Sequence, residues 1–170
     1  MKNKNVSIGL TNPKSPTNVG AVMRAAGCYQ ADAVYYTGVR YDRASAFQTD
    51  TQNIAAKTPL TGVDNWLDSI PESTNIVCVE LAEGAIPLPA FEHPDNVIYI
   101  FGPEDGTIDQ KVIDRAAAVV YVPTVGCMNL AATVNVLLYD RLAKSVDTIA
   151  NDALIRDSRD NNNKVKVNSK

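Results

Sequence analysis

Apolar residues in this chain come in short, nearly continuous runs, and the stretches between them carry apolar residues at helical spacing. Such a pattern predicts buried strands alternating with amphipathic helices. "VSIGL" at 6–10 is the first strand, and "TNPKSPTNVGAVMRAAG" at 11–27 leads through turn residues into a helix. On a wheel of about 100° per residue, Val19, Val22, Met23 and Ala26 share one face of that helix, while Gly20, Arg24 and Gly27 share another. "DAVYYTG" at 32–38 is β-branched and aromatic and stops at a glycine, which completes a βαβ unit. The polar segment 39–59 receives no firm element; "RYDRAS" lies near its start and a weakly helical "TDTQNIAAK" follows. "VDNWLDSI" predicts a helix closed by Pro71, and "NIVCVEL" and "NVIYIFG" predict two buried strands. "TIDQKVIDRAAA" is a helix with Thr107 or Asp109 as N-cap, and "VVYVP" is the next strand. The last helix buries a stripe of Leu130, Val134, Leu137 and Leu138.

Continuous apolar strands separated by helices imply the α/β class, with a mostly parallel sheet covered by helices on both faces. At 170 residues and 45% hydrophobic content the chain supports one packed domain. We place that domain at residues 1–150. From Asn151 the chain turns polar, with an asparagine run, and 151–170 is expected to be a flexible polar tail, because it offers too little apolar area to offset its ordering entropy.

Composition narrows the chemistry. A net charge of −3 carries no bulk signature of nucleic-acid binding, so an RNA site has to be a local patch, with Lys14, Arg24, Arg40 and Arg43 as its cations. No apolar run reaches membrane-span length, and 1–10 is too mixed for a signal peptide. Cys28, Cys78 and Cys127 form no CxxC pair and are read as reduced thiols, which points to a cytoplasmic protein. The single histidine, His93 in "FEHPDN", argues against a histidine-based metal site or a Ser-His-Asp triad, and its polar, proline-flanked setting predicts a solvated surface residue.

In parallel sheets ligands sit beyond the carboxyl ends of the strands, which selects "VELAEG", "FGPEDG" and "VPTVGCMN". Each notable residue there has two readings. Arg24 between two glycines leaves room for a phosphate, a ligand or another subunit, or is a solvated helix arginine. Asn18 and Asn129 stand where ordinary helix caps stand. Glu104 either orients a ligand or is an exposed loop carboxylate.

Taken together and in order, three stretches resemble the SpoU-like (TrmH) branch of the SPOUT RNA methyltransferases: "NVGAVMRAAG", "IYIFGPE" and "VPTVGCMNLAATVNVLLYD". The resemblance runs from about Val6 to Lys144. It implies a C-terminal trefoil knot that binds S-adenosylmethionine in a bent shape, and a homodimer in which RNA and cofactor meet across the subunit interface. It also implies methylation of an RNA ribose 2′-hydroxyl without a metal, with tRNA as the substrate suggested by the lack of an added RNA-binding domain. Matched to the family's motifs, Arg24, Asn18, Glu104 and Asn129 are its catalytic positions, with Arg24 holding RNA phosphate. Gly102, Val122, Cys127, Met128 and Leu130 line its cofactor pocket, and Glu80 or Leu81 contributes mostly backbone. Three departures stand out. Cys127 replaces the family's usual serine, 124–126 is a shorter loop, and the glycine of "GPEDGTI" comes one position early. The alternatives are a non-catalytic SPOUT-like RNA-binding dimer, or methylation of another RNA such as rRNA.

Overall fold

The apolar runs do pair side by side. A computed structural model describes residues 4–46 and 57–168. Among these residues the strands β1 (Asn5–Leu10), β2 (Ala33–Tyr36), β3 (Leu60–Gly62), β4 (Asn75–Val79), β5 (Ile86–Pro87), β6 (Asn96–Phe101) and β7 (Ala118–Tyr121) form one sheet in the order β3-β2-β1-β6-β4-β7-β5. Every pairing is parallel. β1 and β6 form its centre, in register from Asn5 opposite Asn96 to Leu10 opposite Phe101.

Side-chain alternation along the strands divides the core in two. On one face, Val97, Tyr99 and Phe101 of β6 join Ile8 and Leu10 of β1 beneath helices α1 (Pro16–Cys28) and α5 (Leu130–Lys144). Val19, Val22, Met23 and Ala26 of α1 and Val134, Leu137 and Leu138 of α5 are the buried stripes predicted from spacing, whereas Leu130 is only half-buried. On the other face, Ile98 and Ile100 pack with Cys78, Trp66, Ile108 and Val112 beneath α3 (Trp66–Ser69) and α4 (Gln110–Arg115). Sheets covered on both sides account for strands without polar alternation.

Several elements differ from the spacing. The helix predicted over 63–70 shrinks to the single turn α3: Asn65 caps it by accepting from the Asp68 amide, and Ile70, which precedes a proline, is already extended. Of the two N-cap candidates before α4, Asp109 is used and accepts from the Lys111 amide. "RYDRAS" forms α2 (Arg40–Ser45), a short helix with no buried residue. The "TDTQNIAAK" stretch lies, up to residue 56, outside the described residues. Beyond α5, Asn151 caps a two-turn helix, α6 (Asp152–Ser158), which buries nothing.

His93 corrects the sequence reading outright. Its side chain is 5% exposed, not solvated, because the 88–94 segment lies under the end of α5. Asp140 accepts from His93 Nε2 at 2.8 Å, which leaves Nδ1 to accept from the Tyr99 hydroxyl at 2.6 Å. Arg141 donates to Tyr99 and to the Pro94 carbonyl, while Lys144 donates to the carbonyls of Leu88 and Phe91 and pairs with Asp140. The polar groups of a buried corner are thereby satisfied, and α5 is fastened to the chain that leads into β6.

Candidate functional site

The carboxyl ends of β4, β6 and β7 open into one cleft of about 170 Å³. Val79, Glu80 and Leu81 form one wall after β4, and Phe101, Gly102 and Pro103 a second after β6. The chain after β7, from Val122 through Cys127 and Met128 to Leu130, closes it. Glu80, Leu81, Gly102, Val122, Cys127, Met128 and Leu130, scattered over fifty residues of sequence, all line this space.

Glu80 uses its side chain as well as its backbone. The carboxylate accepts from the Ile108 amide at 3.1 Å and from the Leu81 amide at 3.0 Å, and so spans the mouth of the chain leaving β6. Gly102 lies directly beneath it. A Cβ built at Gly102 would come within 3.1 Å of Glu80 Oε2 and 3.5 Å of the Ile108 amide nitrogen. The missing side chain keeps the floor of the cleft open.

Glu104 follows one turn later at the rim. Its two oxygens accept from the Asn18 side-chain amide and the Lys14 backbone amide, each at 3.3 Å. Partial burial pushes this carboxyl's pKa up, but hydrogen bonds from its own amide, Asn18, Lys14 and Ser15 outweigh it and hold the group below the usual glutamate range. Glu104 is therefore an ionised acceptor at neutral pH. Asn18 is free to reach it because Ser15, not Asn18, caps α1, accepting from the Asn18 amide.

Arg24 and Asn129 do not line the cleft of their own chain. Asn129 caps α5, accepting from the Ala132 amide at 2.8 Å. Arg24 is exposed on α1 and makes no hydrogen bond or ion pair with another described residue. A side chain placed at Gly20 or Gly27 on either side of it would meet nothing within 4 Å. The structure thus joins Asn18 to Glu104 and leaves Arg24 pointing into open space.

Two of the four cations expected on the RNA-facing surface, Lys14 and Arg40, share the Asp105 carboxylate. Arg40 is engaged by Asp105 through both terminal nitrogens at 2.9–3.0 Å and donates Nε to the Asn12 carbonyl at 3.0 Å. Lys14 lies 3.7 Å from the same carboxylate. Arg24 and Arg43 pair with no side chain among the described residues. Neither the Arg40–Asp105 bond nor the Lys14 amide is legible in the sequence, since 65 positions separate the first pair and a backbone donor has no residue signature.

Residues 5–139 match the model of the SpoU rRNA Methylase family. No curated protein sequence matches the chain. Among solved structures it is similar to an AdoMet-bound rRNA methyltransferase from Sinorhizobium meliloti, with a TM-score of 0.67 and 18% identity over 84% of this chain and 57% of that one. A TrmH/SpoU tRNA modifying enzyme from A. aeolicus superposes with a TM-score of 0.70 at 18% identity, covering 81% of this chain and 74% of that one. An RNA 2′-O ribose methyltransferase gives a TM-score of 0.67 and 18% identity over 84% and 57% of the two chains. At such identities the likeness is one of fold. The chain spans little more than half the length of the first and third of these structures.

Proposed function

We propose, from the premise that this chain belongs to the SpoU rRNA Methylase family, that it is an S-adenosylmethionine-dependent methyltransferase acting on a ribose 2′-hydroxyl of RNA. One observation carries the reading. Asn18 and Glu104, from two separate family-like motifs, bond to each other at the rim of a cleft lined by residues of the second and third.

The donor set fits the cofactor. Val79, Phe101, Val122 and Leu130 offer apolar walls for a purine, the glycine floor at Gly102 admits a close approach, and Glu104 puts a carboxylate near a cation. When bound, S-adenosylmethionine supplies a sulfonium methyl to an oxygen nucleophile. The chain's own part is positioning, which is worth most when reacting atoms are held about 3–3.5 Å apart. Arg24 grips the phosphate beside the target ribose and stabilises negative charge developing on its oxygen. Its guanidinium stays protonated, so it acts as an electrostatic clamp and not as a base.

The active unit in this reading is a homodimer with the C-terminal part in a trefoil knot. The open face of α1 between Gly20 and Gly27 and the exposed Val136, Tyr139 and Leu142 of α5 give the second copy a surface. Arg24 then serves the partner's cleft. Support for the knot is the strand order, in which β6 enters between β1 and β4 before α5 returns to pack on α1. tRNA is the preferred substrate and rRNA the second, and the location is the cytoplasm.

The test is methyl transfer from isotopically labelled S-adenosylmethionine to unmodified bulk tRNA and to rRNA, with the product digested to nucleosides. Label on a ribose oxygen is expected. Label on a base would overturn the assignment of the acceptor, and no label on either RNA would favour the binding-only dimer. Gly102→Val should weaken S-adenosylmethionine binding by about tenfold or more, since its methyls have to displace the Glu80 carboxylate. Calorimetric titration of that variant checks the pocket independently of RNA.

A further inference from the structure

Arg40 stands outside the three motifs, yet it ties three segments of the rim together. Its Nε bonds the Asn12 carbonyl in the chain after β1, and its terminal nitrogens bond Asp105 in the chain after β6, while its backbone belongs to α2 after β2. The corner it closes is built for a fixed position. Asn12 is left-handed at φ 42°, and its amide donates to Thr37 Oγ1. Gly38, at φ 78°, packs so tightly that a Cβ there would lie 2.2 Å from Asn12 Oδ1. Two residues beyond Asn12 is the Lys14 amide that holds Glu104, and one residue before Asp105 is Glu104 itself.

We propose that Arg40 is a positioning residue for Glu104, acting as a strap from the Asn12 carbonyl to the Asp105 carboxylate; the inference rests on the methyltransferase reading above. With Arg40 removed, the Asn12 carbonyl loses its guanidinium donors, and Asp105 keeps only the Lys14 ammonium, 3.7 Å away, among the described residues. Lys14 and Asn18 then no longer meet Glu104 in a fixed place. The pair is half-exposed, and ion pairs of that kind add little to global stability, so the strap acts on geometry and not on folding. A misplacement on the order of 1 Å near a reacting centre can cost about a hundredfold in rate.

The rival is that Arg40 itself grips an RNA phosphate. Four variants separate the two: Arg40→Ala, Asp105→Ala, both together, and Arg40→Lys. The strap predicts that each single alanine variant lowers kcat by about 10- to 100-fold with KM for RNA nearly unchanged. The double variant should be no worse than the poorer single, because both remove one interaction. Arg40→Lys should recover part of the loss, since an ammonium can bond Asp105 but lacks the guanidinium fork. Unchanged kcat in Asp105→Ala, with raised KM in Arg40→Ala, would overturn the strap in favour of the phosphate contact. A second readout needs no turnover: the nuclear Overhauser contact between the Asn18 side-chain amide and the Glu104 methylenes should vanish in Arg40→Ala. Its persistence would overturn the strap even in a protein that transfers no methyl group, whereas loss of the contact in Arg40→Ala alongside an inert wild type would overturn only the reaction assigned to the protein.

Discussion

Arg24→Ala is expected to lower kcat for RNA methylation by about 10²- to 10³-fold while the cofactor still binds and the protein still folds. Nothing in the folded subunit depends on this side chain: it is exposed and bonds no other described residue. Alanine is also the better helix former, so α1 loses nothing. What disappears is a cation standing clear of its own chain between two glycines, where a phosphate can come against the helix. Arg24→Lys keeps the charge but not the bidentate fork, and should fall between wild type and alanine. Single-turnover methyl transfer with circular dichroism as the folding control checks both. Wild-type kcat in Arg24→Ala would remove arginine from the reaction and leave Glu104 and Asn18 as the polar groups to examine.

The exposed face of Arg24 is legible in the sequence and the tie of Arg40 to Asp105 is not, for one physical cause. Helical spacing reports which residues share a face within a dozen positions, and it placed Gly20, Arg24 and Gly27 together without any partner. Pairing across the fold leaves no such trace. Arg40 reads as a surface cation until the sheet brings β2 and β6 to the same rim, where Asp105 takes both of its terminal nitrogens. The long strands were legible because burial on both faces makes them continuous apolar runs. β3 and β5 escaped because strands of three and two residues at the sheet edges carry no period. α2 escaped because it buries nothing. Of the site, the cleft-lining residues were found through the resemblance of three motifs, whereas strand-end logic alone supplied only the neighbourhood. Ser15 as the cap of α1 was missed in favour of Asn18, although the serine before a proline is an ordinary helix start.

Tyr99→Ala is expected to remove a large share of the domain's stability, and the reason returns to His93. Tyr99 is wholly buried in the middle of the central strand β6, beneath α5. Truncating such an aromatic costs about 3–5 kcal/mol, against a total stability of about 5–15 kcal/mol for a typical domain. It also leaves His93 Nδ1 without its donor and Arg141 without one of its acceptors. Tyr99→Phe isolates the hydroxyl and should cost about 1–3 kcal/mol, the penalty for unpaired buried polar groups. The same corner contributes to the pH dependence of stability. Burial lowers the His93 pKa below 6.5, with Arg141 and Lys144 acting in the same direction and Asp140 opposing them. Between 6.5 and that lower value the unfolded chain takes up a proton that the native chain refuses, so this contribution to stability is complete above pH 6.5 and declines as the pH falls. Burial acts oppositely on Tyr99, pushing its hydroxyl up to about 12, so its contribution is complete below pH 10 and lost as the pH rises toward 12. Thermal midpoints measured from pH 5 to 11 should therefore fall at both ends for wild type. In Tyr99→Phe the alkaline decline should shrink and the acid decline should remain; an alkaline limb unchanged by removing the hydroxyl would show that another group titrates there.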